Sequence, residues 1–374
     1  MVLNYSHPSQ SGKTSPTPDG PPQTQALFKV DRMPIMRRYI KHATLVENCY
    51  PYPVPSDAKP KSNELSYLVY YANSKPAKLA KVGVYLERKI QRELYKRKPR
   101  MVEVSLEIFN ALLDSCRSDL NYFTKPILNS LRAILISETT ELMWAVTRTF
   151  IKFCQQYNGS TLAIDLHLRS VYQFLIKQFS AYALQGRSDP ELTQKFRYAG
   201  LRALNAVVVS ELIRVADSHK ELVVIIPAVL ENLKGTWPTD QDKKHLRAEW
   251  KQIENLGLHD PEVNSQTNHS LAWITMKAMV EHSNSINARF FITQTVEFID
   301  RVNSSWSPSS PIVHLFTHIM AALQPQYRFI LVTELLHQLS QLDVSLPNTE
   351  ESGGANRPGT ISSSVALASA GGEE

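Results

Sequence analysis

An all-α fold, an elongated rod of HEAT/armadillo-like helical repeats with disordered ends, is predicted for this 374-residue sequence. Three observations carry that prediction. Apolar residues recur at steps of three and four almost throughout the middle of the chain, and period-two alternation is never sustained. Only 13 glycines are present, most of them near the ends or between periodic segments, and glycine is costly inside helices. Helix starts also recur with a rhythm. Alternate helices are expected from about 64, 101 and 138, a step of 37, and their partners from about 76, 119 and 162, a step of 43. Helix-pair repeats have that spacing.

Residues 1–33 are polar and Pro/Ser-rich over most of their length, cannot bury apolar area, and are expected to be disordered. The rod is expected over 34–345. Its first helix, 34–48, opens with Pro34 and carries an apolar stripe of Met36, Tyr39, Ala43 and Val46. Helices follow at 63–73, 76–97, 101–117, 119–136, 138–156, 162–184, 190–216 and 219–234. The stripe of 76–97 is Leu79, Val82, Leu86, Ile90 and Leu94, that of 101–117 is Leu106, Phe109, Leu113 and Cys116, and that of 138–156 is Leu142, Val146, Phe150 and Phe153. Pro76, Pro99, Pro126, Pro190 and Pro227 each read as a first turn or bend. A polar stretch at 235–266 reads as an insertion loop, and helices resume at 269–284, 287–303, 311–322 and 327–342. The remaining 346–374 reads as a disordered tail.

Charge is the second informative feature. The formal net charge is +6, yet Lys29–Lys41 (Lys29, Arg32, Arg37, Arg38, Lys41 against Asp31) and Arg88–Arg100 (seven cations against Glu93) together exceed it at +10. Positive charge is therefore concentrated in the first quarter, which suits a phosphate-bearing partner, lipid or nucleic acid. In 34–48, Arg37, Arg38, Lys41 and His42 lie opposite the apolar stripe. Such a helix can rest on anionic headgroups at roughly 1 kcal/mol per cation, and equally it can be a capping helix with a solvated face. The second cluster, Lys89, Arg92, Lys96, Arg97 and Lys98, reads partly as structural, because cations stabilise the exposed carbonyls of a helix C-terminus. Neither cluster shows the aromatic interleaving or motifs of a nucleic-acid binder.

No segment reads as a secretory signal, and the longest apolar run, Leu222 to Leu230, is about half the roughly 20 residues a membrane span needs. Three cysteines (Cys49, Cys116, Cys154) form neither a disulfide framework nor a metal site. Cys49 follows the basic helix and is a candidate for acylation, a buried thiol being the commoner case. His314 and His318 are four apart with no third ligand apparent. Asn158, Asn268 and Asn303 head chance glycosylation triplets. Nucleophile-elbow, P-loop, zincin and dinucleotide motifs are absent, so no catalytic residue, metal or cofactor is expected.

The order of MRRYIKHATLVENCYP (36–51), ELSYLVYYANSKPAKLAKVGVYLERKI (64–90), FIKFCQQ (150–156) and YQFLIKQFSAY (172–182) resembles the EFR (eighty-five-requiring, or rolling blackout) family. The resemblance covers roughly 34–345 and is most specific in Tyr70–Leu86. It implies a non-catalytic rod on the cytoplasmic face of the plasma membrane. There it binds acidic phospholipids and, through a tetratricopeptide-type adaptor, anchors the type III alpha phosphatidylinositol 4-kinase. The family's basic patch maps onto Arg37, Arg38 and Lys41, with Arg32 nearby and Lys59 and Lys61 as weaker candidates. The palmitoylated cysteine cluster that opens animal members is not matched, so anchoring is expected to rest on basic charge, as in fungal members. Family chains are longer and meet the adaptor through their C-terminal portion, so weak adaptor recruitment is expected of this length of chain. The alternative class is a soluble HEAT-type adaptor or nucleic-acid-binding repeat protein.

Overall fold

The computed structural model describes residues 42–53, 59–214, 218–233, 263–302 and 311–345. These lie in one unit, from His42 onward. The expected disordered ends, residues 34–41 of the first helix and most of the 235–266 insertion fall outside the described residues.

Every described element is helical. The chain forms α1 (His42–Asn48), α2 (Ser62–Asn73), α3 (Pro76–Tyr95), α4 (Pro99–Ser115), α5 (Thr124–Ile136), α6 (Met143–Gln156), a short α7 (Ser160–Ile164) and α8 (Leu166–Leu184). It continues with α9 (Pro190–Val209), α10 (His219–Glu231), α11 (Ser265–Glu281), α12 (Ser285–Val302), α13 (Pro311–Ala322) and α14 (Arg328–Ser345). Prolines open α3, α4 and α9, where the missing N–H costs nothing. Side-chain caps open others: Asp165 accepts from Leu168 N, Asp189 from Glu191 N and Asn264 from Thr267 N.

Where connections are short they make successive helices antiparallel, and the helices stack in two layers. In one layer α2, α4, α6, α9, α11 and α13 each touch the next, and in the other α3, α5, α8, α10, α12 and α14 do so. The layers also pack on each other, α3 on α2 and α4, α6 on α5, α9 on α8 and α11 on α10. The interior is a continuous apolar cluster running from Leu45 to Leu331. Two glycines allow the closest approaches. A Cβ on Gly83 would lie 2.5 Å from the Phe123 ring, and one on Gly200 would lie 2.5 Å from the Phe179 carbonyl.

Polar bonds cross between repeats. Arg148 donates to Glu107 at 2.6 Å and Lys152 to Asp114 at 2.5 Å, linking α6 to α4. Asn268 donates to Gln194 Oε1 at 2.7 Å and Asn205 to Thr275 at 3.2 Å, linking α11 to α9.

Three expectations are corrected in detail. Stretches read as single helices at 119–136, 138–156 and 162–184 each begin with a separate short turn, at Arg117–Tyr122, Thr140–Leu142 and Ser160–Ile164. These turns keep apolar residues at spacings of three and four, so the pattern runs through them. The helix expected from 269 begins at Ser265, because its first turn is polar and is set by the Asn264 cap. Pro227 lies inside α10 and not at its start.

Topology also sorts the connections onto two rims. One rim carries 74–75, 116–123, 157–165, 282–284 and the turn before α14. The other carries the 49–61 connection, 96–98, 137–142 and 185–189.

Candidate functional site

The second rim begins with a basic corner. α2 starts there and α3 ends there, so Lys59 and Lys61 before α2 share it with Lys96, Arg97 and Lys98 after α3 and with Arg100 in the first turn of α4. All six are exposed. Two nearly fully exposed tyrosines accompany them, Tyr52 at 96% and Tyr95 at 90%. Further along the rim the sign reverses, with exposed Glu138 and Glu141.

The turn that presents the three cations has a definite geometry. Arg97 N–H donates to Leu94 O at 2.9 Å and Lys98 N–H to Glu93 O at 3.0 Å. This is the paired closure that ends a helix when the residue between adopts the left-handed conformation. Arg97 does so at φ 53°, where glycine is the usual occupant. Pro99 then starts α4.

Beneath this corner lies a partly buried ionic network that the sequence pattern alone does not reveal. Lys89 is 4% exposed. Its Nζ donates to Glu47 Oε2 at 2.7 Å and stands 4.0 Å from the centroid of the Tyr50 ring. Tyr85 donates to Glu47 Oε1 at 2.5 Å, and Arg92 Nη2 approaches the same oxygen at 3.5 Å while its Nε bonds Glu93 at 3.2 Å. Partial burial works to raise the Glu47 pKa. Hydrogen bonds from Lys89 and Tyr85, with the charges of Lys89 and Arg92, more than reverse this and hold the carboxyl below its ordinary value. Tyr50 shares a 2.6 Å hydrogen bond with Ser105 of α4, and Lys61 N–H donates to Cys49 O at 2.8 Å. α1, α3 and the start of α2 are thereby tied together.

The second cluster therefore divides into a structural and an exposed part. Lys89 points inward and Arg92 is engaged by two carboxylates, whereas Lys96, Arg97 and Lys98 face solvent. A signal was present, since Lys89 stands three residues after Leu86 on the apolar stripe of α3. The acylation candidate is corrected too. Cys49 is 0% exposed, its thiol donates to Leu45 O at 3.3 Å, and burial pushes it up to about 12. Such a thiol is shielded and protonated. Arg32, Arg37, Arg38 and Lys41 lie outside the described residues. Among the described residues no three His, Cys, Asp or Glu side chains gather as a metal site, and no helix is long and apolar enough to cross a membrane.

A two-layer helical repeat with this segment order was compared with known proteins. The family profile described as "EFR3, armadillo repeat" matches residues 65–352. The chain belongs to the EFR3 family. Among relatives, the Aspergillus oryzae protein efr3 is 33% identical over 202 residues, which is 52% of this chain and 18% of that protein. The Drosophila melanogaster EFR3 homolog cmp44E is 26% identical over 320 residues, 83% of this chain and 36% of that one. The chain thus spans well under half the length of these EFR3 relatives. A crystal structure of Efr3 superposes with a TM-score of 0.59 at 19% identity, covering 82% of this chain and 53% of that one, which supports the fold. Family profile and superposition agree on a helical repeat of the armadillo type.

Proposed function

We propose that this EFR3-family chain is a peripheral scaffold at the cytoplasmic face of the plasma membrane. It binds acidic phospholipids through its basic N-terminal residues and anchors a phosphatidylinositol 4-kinase complex through a tetratricopeptide-type adaptor. The observation that carries the lipid reading is the corner itself, where Lys59, Lys61, Lys96, Arg97, Lys98 and Arg100 are exposed on one end of one rim. Arg32, Arg37, Arg38 and Lys41 precede α1 directly in sequence and add to the same positive region of the chain. Clustered cations near an anionic leaflet contribute about 1 kcal/mol each. The exposed rings of Tyr52 and Tyr95 suit the headgroup level, where one end of a tyrosine is apolar and the other wet. The adaptor and kinase rest on the family alone.

The test is flotation with phosphatidylserine-containing vesicles beside neutral ones, with a nucleic-acid shift assay in parallel. Binding to acidic vesicles that collapses as salt rises supports the reading. Equal binding to neutral vesicles, or preference for nucleic acid, overturns it in favour of the soluble adaptor class. Replacing Arg37, Arg38 and Lys41 by Glu is expected to abolish flotation without loss of helicity.

A further inference from the structure

We propose that Glu47 is the positioning residue of the basic corner: its carboxylate, although acidic, is required for the cations around it to engage an anionic surface. This rests on the acidic-lipid reading above and adds to it a residue of the opposite charge.

The argument begins with α1. It has seven residues and buries only Leu45 and Val46, far fewer than the roughly 12–15 residues at which isolated helices become even marginal. Tertiary bonds must hold it, and three groups on α3 converge on one side chain. Lys89, Tyr85 and Arg92 reach the two Glu47 oxygens at 2.7, 2.5 and 3.5 Å. Immediately after α1, the Cys49 carbonyl accepts from Lys61 and Tyr50 bonds Ser105. Glu47, just before the connection that bears Lys59 and Lys61, is therefore joined to α3, which the turn Lys96–Lys98 follows. Glu47 is the one acid of α1; the His42 ring also meets Tyr85 of α3, edge-on at 6.1 Å between centroids.

Simple electrostatics makes the opposite forecast. Glu47 is 41% exposed at its side chain, so removing its charge makes the corner more positive, and an anionic vesicle should be bound about fivefold more tightly. A positioning role predicts weaker binding in spite of the added charge. Glu64, in the first turn of α2, lies outside the Glu47 network of Lys89, Tyr85 and Arg92, and serves as the control.

The experiment measures binding of the full chain to vesicles containing phosphatidylserine, with circular dichroism of each variant. Glu64→Gln is expected to bind about fivefold more tightly. Glu47→Gln is expected to bind at least about fivefold more weakly, and Glu47→Lys more weakly again despite two added positive charges. Tyr85→Phe removes one bond to Glu47 with no change of charge, and is expected to bind about twofold more weakly. Glu47→Gln that stays helical and binds as tightly as the original chain overturns the inference alone. So does a folded Tyr85→Phe variant that binds as tightly as the original chain, which decides the matter should the Glu47 variants unfold. If the original chain does not bind acidic vesicles at all, the lipid reading falls and this inference with it.

Discussion

The ammonium of Lys89 lies 4.0 Å from the centroid of the Tyr50 ring while donating at 2.7 Å to Glu47. One cation thus spans three elements, from α3 to α1 and to the connection after it. The two partners differ in their access to water, 3% exposed for the Lys89 side chain and 41% for Glu47. Loss of either partner is therefore not equivalent. Glu47→Gln strands a buried ammonium and is expected to cost up to about 3 kcal/mol, with the tyrosine face offsetting part of the penalty. Lys89→Met leaves a carboxylate that water, Tyr85 and Arg92 still serve, and is expected to cost about 1 kcal/mol or less. Urea midpoints of the two variants check the asymmetry.

The same carboxyl makes a pH prediction. Its folded pKa is held below the unfolded value, so its stabilisation is fully present above the ordinary glutamate value of about 4.3. It is lost as pH falls through the lowered folded value. The stability gap between the original chain and Glu47→Gln should be constant near neutrality and close below pH of about 4. Urea titrations at several pH values measure it, and a gap that widens on acidification would contradict the assignment.

Arg97 holds a conformation that glycine holds more cheaply. Arg97→Gly is expected to stabilise the chain by about 1 kcal/mol while weakening acidic-vesicle binding about fivefold through loss of one cation. Thermal melts and flotation on one preparation read both effects.

Asn110 of α4 is 3% exposed, and neither its amide nitrogen nor its oxygen has a hydrogen-bond partner. A buried polar group left unpaired costs about 1–3 kcal/mol. Asn110→Leu, of similar shape, is expected to raise stability by about 1–2 kcal/mol with vesicle binding unchanged. A lower melting temperature would mean that the amide has a role in the packing of α4.

All three cysteines are buried, and burial raises Cys49 to about 12 and Cys116 to about 11. Thiol labelling of the folded chain at neutral pH is expected to be slow at each, and fast once urea unfolds it. Membrane binding of Cys49→Ala should match that of the original chain. Rapid labelling of Cys49 in the native state would reopen acylation.

The helices were legible because core positions such as Leu79, Val82, Leu86 and Ile90 repeat at helical spacing and are all fully buried. The short turns before α5, α6 and α8 were not, since residues such as Leu120 and Leu142 keep the rhythm while the backbone changes its hydrogen bonding. The candidate site was legible by half. A cluster of cations in sequence locates Lys96, Arg97 and Lys98, but the inward turn of Lys89 depends on Glu47, 42 residues away. No local pattern assigns a buried cation its distant acid. What a single sequence can show is that Lys89 falls on the apolar stripe, a conflict that a buried partner resolves.

The arrangement of helices on the two rims has an electrical consequence. On the rim of the basic corner, helices of one layer begin and helices of the other layer end, so positive and negative ends of the backbone dipoles alternate along it. Each end carries about half an elementary charge, and neighbours of opposite sign largely cancel a few ångströms away. The backbone therefore contributes little net potential to this rim. Its field is set by side chains, and substitutions at the corner can change its sign without disturbing the stack of helices that supports it.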